Sequence, residues 1–343
     1  MKIRTNDDIR RVVESTLIPH TAFQSAVQRL QQGLDYSLGS SEPICLAVVG
    51  ESRTGKSRVL EEVESTRPRS RTANGAVVPI LRIRVPSSPT VKGLAELMLR
   101  ALGDPNWEKG TQNNKTARLQ TQMKKAGTIM LMLDEFQHFF DKGTQKIFHD
   151  AADWLKILVD ETRVTLVVCG LESCLPVLLR NEQLSGRFLA PIFMRRFNWL
   201  DDGDREAFVG ILDSFTVAVS EHFDMPDLSG EGMAYRCWLA TGGLMGYLTK
   251  FLRQVVWTAC DEGARKITLE DLRKAHQLSV CSATEMAQEK SPFSRSFSAE
   301  PTQEAISIAL SLGEHVQSVQ PERPSRRQKA PAKPSLAQTL AAT

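Results

Sequence analysis

At 343 residues and a net charge of +3, the chain is long enough for one large or two moderate domains and too near neutrality to coat nucleic acid with its whole surface. No apolar run approaches membrane-spanning length, and MKIRTNDDIRRVV carries no apolar signal core, so a cytoplasmic protein without membrane association is expected. The six cysteines show neither a CxxC pair nor a zinc spacing, and most sit in apolar runs, as small buried residues of a reducing compartment do.

Residues 1–42 read as a polar helical extension. In HTAFQSAVQRLQQGL, Phe23, Ala26, Leu30 and Leu34 repeat at near-helical spacing, which predicts a helix packed on the next domain. The residues before it, 18–20, are the alternative: a contact to an adenine base.

The stretch PICLAVVGESRTGKSRVL, residues 43–60, organises everything after it. A branched apolar run ends at Gly50, the octet GESRTGKS follows, and a helix-permissive segment comes next. This is the G-x-x-x-x-G-K-[ST] phosphate loop in its required context of strand, glycine turn and helix start. Gly50 and Gly55 let backbone N–H groups turn toward a triphosphate, and the helix adds its positive end. Gly50, Glu51, Ser52, Arg53, Thr54, Gly55, Lys56, Ser57 and Arg58 are the candidate nucleotide contacts. Lys56 would reach the β- and γ-phosphates of ATP, and Ser57 would place its hydroxyl on Mg²⁺.

Next come a basic polar loop, RPRSRTANG, a strand-like AVVPILRIRV broken by Pro79, and a helix over VKGLAELMLRALG with one apolar face. DPNWEKGTQNNKT, residues 104–116, reads as a turn-rich loop before a short helix, ARLQTQMKKA. In TIMLMLDEFQHFF the apolar residues 130–133 run directly into Asp134 and Glu135. A buried strand that ends in two carboxylates must satisfy them, because unpaired burial is costly. Downstream of a phosphate loop, Asp134 is the expected Mg²⁺ partner and Glu135 the group that orients or deprotonates the attacking water. His138 and Phe139 are expected to pack rather than react.

A helix leads to a third buried strand, VTLVVC, ending at Cys169-Gly170. Strands alternating with helices predict a parallel α/β sheet with helices on both faces, and ligands bind at the carboxyl ends of such strands. GRFLAPIFMRRFNWL carries Arg187, Arg195 and Arg196 between apolar residues. From residue 201 to 283 the pattern is helical throughout, with Gly242-Gly243 as punctuation and Thr268 as an N-cap. Beyond residue 283 the chain is rich in Ser, Pro, Gln and Glu, and its end is basic. It is expected to be a flexible tail, despite an apolar island, AISIALSL.

A Walker-motif sheet followed by a helical lid resembles the AAA+ ATPases. LGDPNWEKG, IMLMLDEFQHF, VVCGLES, Arg187-Phe188 and TGGLMGYLTKFL together resemble the TniB/TnsC family of transposition regulators, over roughly residues 5–280. The resemblance divides the chain into an N-terminal extension (1–42), an AAA+ nucleotide-binding domain (43–200), a helical lid (201–283) and a tail (284–343). It implies an ATPase that assembles as a ring or helical filament on double-stranded DNA with ATP, linking a TniQ-type target-selection protein to a DDE transposase, with hydrolysis driving disassembly. Lys56, Ser57, Asp134 and Glu135 carry over by motif. Arg187 falls where the family supplies charge to a neighbour's nucleotide, with Arg195 and Arg196 as competitors; any of the three could instead pair with the acidic stretch 201–204.

The resemblance also implies DNA contact from two loops, around residues 86–92 and 109–116, with Lys92, Lys115 and Thr116 as the candidates. Two departures from the AAA+ pattern suggest slow turnover. The sensor strand ends in Cys169-Gly170 instead of Asn or Thr, leaving Glu172 or Ser173 for that role, and the lid turn lacks its usual arginine. A nucleotide-gated scaffold with little turnover, or an initiator- or loader-type ATPase, are the alternatives.

Overall fold

The computed structural model describes residues 6–16, 18–37, 42–73, 75–141, 145–180, 185–280, 291–297 and 300–313. Three helices open the chain: α1 (Asn6–Arg10), α2 (Val12–Ser15) and α3 (Thr21–Ser37). Strand β1 (Cys45–Val49) and helix α4 (Lys56–Ser65) flank the phosphate loop. A small antiparallel hairpin, β2 (Ser70–Thr72) with β3 (Gly75–Val77), stands where a basic loop was expected; Gly75 turns it with φ +123°. Then follow β4 (Ile80–Arg84), α5 (Val91–Ala101), α6 (Gln112–Lys125), β5 (Met130–Asp134), α7 (His138–Asp141), α8 (Gln145–Thr162), β6 (Thr165–Gly170), α9 (Leu175–Arg180) and β7 (Ile192–Phe193).

Five strands form one sheet in the order β4-β5-β6-β1-β7, and each pairing is parallel. Alternate residues divide between its two faces, as the twofold period of a strand requires. Ala47, Val49, Leu131, Leu133, Leu166 and Val168 pack against α5, α6 and α8. Leu46, Val48, Met130, Met132, Val167 and Cys169 pack against α3 and α4. Burial on both faces explains why these strands read as unbroken apolar runs. The stripe Phe23, Ala26, Leu30 and Leu34 lies in the second of these cores, so α3 packs on the sheet as its spacing predicts.

Among the described residues the remaining helices are α10 (Asp202–Ser220), α11 (Glu231–Thr241), α12 (Met245–Asp261), α13 (Leu269–Ser279) and α14 (Gln303–Ser311). Phe208, Trp238, Phe251 and Leu272 centre a third core, which also takes in Val12 and Val13 of α2. The N-terminal extension is thus shared: α3 covers the sheet, while α2 joins the C-terminal helices, where Glu14 meets Arg253 at 3.0 Å. Thr268 caps α13 in a full capping box with Asp271.

Two expectations need correction. Helix α6 begins at Gln112, capped by Thr111, so Lys115 and Thr116 are helical rather than in a loop. Described residues after 290 also pack. Phe293 is 1% exposed and stacks on Phe251 at 5.1 Å, Arg236 donates to Ser294 O and Phe297 O, and the apolar island forms α14. One anchoring aromatic and a helix of small apolar residues suffice to dock a segment whose average composition suggests none. The basic end, residues 321–343, lies outside the described residues.

Candidate nucleotide-binding site

The loop between β1 and α4 is shaped by two glycines. Gly55 stands at φ +96°, a conformation that costs other residues strain, and it immediately precedes α4. Gly50 is excluded from substitution by contact: a Cβ there would lie 1.8 Å from Met194 O. Thr54 is buried, and its hydroxyl donates to Glu51 O at 2.9 Å, pinning the loop on itself. Lys56 Nζ reaches Gly50 O at 2.9 Å and Glu51 O at 2.5 Å, inside the curve of the loop. Burial pulls its pKa below the ordinary lysine value, and the carboxylates of Glu135 and Asp134 offset part of this. A part-buried ammonium at a helix N-terminus suits an incoming polyanion.

Strand β5 delivers the second half of the site. Ser57 Oγ donates to Asp134 Oδ2 at 2.8 Å. Asp134 is 7% exposed and also accepts from the Glu135 backbone N–H at 2.9 Å. Among the described residues no cluster of three or more His, Cys, Asp or Glu stands ready to hold a metal. One carboxylate and one hydroxyl do fit Mg²⁺ bound jointly with phosphate oxygens, its usual protein environment. Cys169 lies beside this pair. Burial, reinforced by Asp134, pushes its thiol well above the ordinary value, so it is a neutral neighbour. Glu135 takes φ +59°, a left-handed conformation that a non-glycine residue adopts only when its surroundings hold it there. Arg84, at the end of β4, holds one carboxylate oxygen at 3.4 Å, and Gln137 Nε2 donates to the other.

The helical part closes directly onto the loop. Gly246 N, at the start of α12, donates to Arg53 O at 2.8 Å, and the Arg53 guanidinium lies 4.6 Å from the centre of the Tyr247 ring. Arg53 itself has φ +68°. Arg196 donates from Nε to Glu51 at 2.8 and 3.0 Å and from Nη1 to Leu310 O at 2.8 Å. The Gly242-Gly243 turn has no arginine of its own, yet arginines from the loop and from the segment after β7 occupy that junction. Ser52 and Arg58 lie in the loop and the first turn of α4, and Arg58 pairs with Glu61 at 3.4 Å.

The other expected site residues are dispersed. The Arg187 carbonyl accepts from Cys45 N at 3.0 Å, which puts it at the end of β1 opposite the phosphate loop, and its guanidinium pairs with Asp160. Arg195 is exposed and lies over the Phe193 ring at 5.2 Å. Neither Arg195 nor Arg196 pairs with the acidic stretch 201–204; Arg205 takes Asp202 instead, at 2.7 Å.

The three DNA candidates separate. Lys92 is exposed in the first turn of α5. Lys115 is 0% exposed; its ammonium binds Glu96 and Trp107 O, both at 2.9 Å, and so offers no charge to a phosphate. It shares the inward stripe of α6 with Leu119 and Met123, at i+4 and i+8. The Thr116 hydroxyl donates to Gln112 O at 3.0 Å and accepts from Trp154 Nε1 at 2.9 Å, so it too is engaged internally. The residues that sequence reading missed are Gln137, Arg84 and the Arg196–Glu51 pair. Gln137 stands in the very DEFQH string that marks the strand end, but its partner at Leu171 does not.

The five-stranded parallel sheet, with a phosphate loop after β1, paired carboxylates at the end of β5 and a helical C-terminal part, has the AAA+ fold. Solved structures similar to this chain include Cdc6p of Pyrobaculum aerophilum (15% identity, TM-score 0.59, covering 80% of this chain and 72% of that one). ORC2 of Aeropyrum pernix, solved in ADPNP–ADP complexes, matches at 13% identity and TM-score 0.59, covering 81% and 74%. ORC1 of Aeropyrum pernix, in complex with DNA, matches at 16% identity and TM-score 0.55, covering 78% and 69%. Residues 8–198, more than half of the chain, match the family described as bacterial TniB protein, and the chain belongs to that family. A search of curated sequences finds no significant match. Among the described residues no helix is long and apolar enough to cross a membrane.

Proposed function

We propose that this protein is an ATP-dependent, DNA-bound regulator of bacterial DNA transposition. With ATP it oligomerises on double-stranded DNA in the cytoplasm, as a ring or helical filament. It links a TniQ-type target-selection complex to a DDE transposase, and hydrolysis to ADP and phosphate drives disassembly. The observation that carries this reading is the meeting of Ser57 with Asp134 at 2.8 Å, beside Glu135, in a chain of the TniB family. The AAA+ fold, seen also in an ORC1 solved with DNA, is compatible with it.

In this reading Lys56 and the N-terminus of α4 bind the phosphates of ATP, and Ser57 with Asp134 holds Mg²⁺. The ion, when bound, supplies charge neutralisation at the phosphates. Glu135 receives the proton of the attacking water, and Arg187 of a neighbouring copy supports the transferred phosphoryl group. Residues 43–200 act as the nucleotide-binding domain, residues 201–283 as the lid, and Lys92 and Lys109 are the exposed bases of the two segments turned toward DNA. A scaffold with little turnover is the second reading, favoured by the absence of an Asn or Thr at the end of β6.

The test combines purified protein with duplexes of unrelated sequence and with ATP, ADP or no nucleotide, followed by electron microscopy and phosphate release. Sequence-indifferent assembly with ATP, lost in Lys56→Ala, is expected. Equal assembly with ADP, or in Lys56→Ala, would remove ATP as the gate. Adding a TniQ-type protein and a DDE transposase should then direct strand transfer. No effect on transfer would favour an initiator- or loader-type role.

A further inference from the structure

In the AAA+ pattern the strand matching β6 ends in a polar side chain, and here it does not: the strand ends in Cys169 and Gly170, and the Glu172 and Ser173 that follow are exposed. The space is nevertheless filled. Gln137, 7% exposed, extends from the loop after β5 and uses both ends of its amide. Its Oε1 accepts from the Leu171 backbone N–H at 3.3 Å, and its Nε2 donates to Glu135 Oε2. Both partners fix the orientation of the amide, because a backbone N–H only donates and an ionised carboxylate only accepts. Gly170 makes the crossing possible, since a Cβ there would lie 2.8 Å from Gln137 Oε1 and 3.0 Å from Cys174 Sγ. On its other side Gly170 O accepts from Gly50 N, the first residue of the phosphate loop, at 3.2 Å.

A continuous hydrogen-bonded path therefore runs from the phosphate loop through the end of β6 and one glutamine amide to the carboxylate of Glu135. Arg84 touches the same carboxylate from β4, but its side chain is 77% exposed and the contact is a single one at 3.4 Å. Gln137 is the buried, doubly anchored partner.

We propose that Gln137 is the positioning residue for Glu135, and that it does from β5 what a polar side chain at the end of β6 would otherwise do: it sets the carboxylate according to where the phosphate loop and β6 stand. The proposal rests on the reading of Glu135 as the group that activates water. It also accounts for how a chain lacking the usual polar residue on β6 can still couple its nucleotide to its base. A carboxylate left to rotate loses alignment with the attacking water, and misplacement of about an ångström costs roughly 10²-fold in rate.

The test uses the full chain with ATP and Mg²⁺ on duplex DNA, in four variants: Gln137→Leu, Gln137→Asn, Glu135→Gln and the double Glu135→Gln/Gln137→Leu. Gln137→Leu keeps the volume and removes both hydrogen bonds; Gln137→Asn stays polar but is one methylene too short to span the gap. Each Gln137 variant is expected to lose about 10²-fold in kcat, with KM for ATP and the affinity for a non-hydrolysable analogue unchanged. The double variant should turn over no more slowly than Glu135→Gln alone, because the glutamine acts through that carboxylate. Unchanged kcat in both Gln137 variants, with Glu135→Gln inactive, overturns the proposal and leaves the base intact. Loss of analogue binding along with kcat would make the role structural and also overturn it. A further large loss in the double variant would show action outside Glu135. Wild-type turnover in Glu135→Gln would instead overturn the reading beneath.

Discussion

Arg196 grips Glu51 with Nε at 2.8 and 3.0 Å, and the same guanidinium reaches Gly242 O at 3.4 Å, Leu310 O at 2.8 Å and Leu312 O at 3.1 Å. One planar fork thus joins the phosphate loop, the Gly242-Gly243 turn and the end of α14. Its side chain is only 11% exposed, so these bonds are poorly replaced by water. Arg196→Ala should cost about 2–3 kcal/mol and loosen α14, lowering the melting temperature and exposing residues 291–313 to protease. Arg196→Lys should not restore either property, since a single ammonium cannot fork to a carboxylate and three carbonyls. Wild-type melting in the lysine variant would reduce the contact to a simple charge pair.

The phosphate loop and the β5 carboxylates were legible because their chemistry is contiguous in sequence: eight residues in one case, two in the other, each preceded by an unbroken apolar strand. The sheet was legible for the same reason, except β7, whose two residues are too few to show a period. What was not legible depends on partners far away in the chain. Arg196 finds Glu51 across 145 positions, and Gln137 finds Leu171 across 34. Lys115 misled because a lysine in an apolar stripe looks like a gap in it, and so the first turn of α6 read as loop.

Lys115 makes a second prediction. Breaking a buried pair leaves the remaining partner uncompensated, at a cost of about 3 kcal/mol or more for full burial; Glu96 is 26% exposed, which places Lys115→Ala toward the lower end. Thermal melts should show that loss. The salt dependence of DNA binding by the folded variant should stay as in wild type, whereas Lys92→Ala should flatten the log–log slope by roughly 0.9 for the contact removed. A flattened slope in Lys115→Ala would put that side chain at the DNA after all.

His20 gives the protein a pH dependence of known sign. Its ring is packed against Phe197 at 5.1 Å, and burial lowers its pKa from 6.5 to about 4, with Asp204 partly opposing. Between those values the unfolded chain binds a proton that the folded chain refuses. Stability from this residue is therefore fully present above about 6.5 and is lost as pH falls toward 4. The loss approaches about 3.5 kcal/mol once the pH is below 4. Denaturant melts at pH 7 and pH 5 should differ less in His20→Gln than in wild type; an equal difference would assign the acid sensitivity elsewhere.

The last prediction concerns Arg187. Its backbone joins the N-terminal end of β1, and the five-residue strand between it and Gly50 spans roughly 16 Å at about 3.3 Å per residue. That separation, together with its ion pair to Asp160, keeps it from the nucleotide of its own chain. If it serves hydrolysis it does so across an interface, after giving up Asp160. Arg187→Ala should then bind ATP normally yet hydrolyse it slowly, and only the oligomer should reveal the defect. Subunits carrying Glu135→Gln retain Arg187 but cannot turn over; mixed with Arg187→Ala subunits, they should restore hydrolysis by supplying the guanidinium in trans. Asp160→Asn, which frees the arginine beforehand, should not impair hydrolysis in the assembled state. Arg196 is not free to substitute, because Glu51 holds it within its own chain. Mixtures that co-assemble without recovering activity would therefore pass the role to Arg195, which is exposed beside Phe193 on the edge strand.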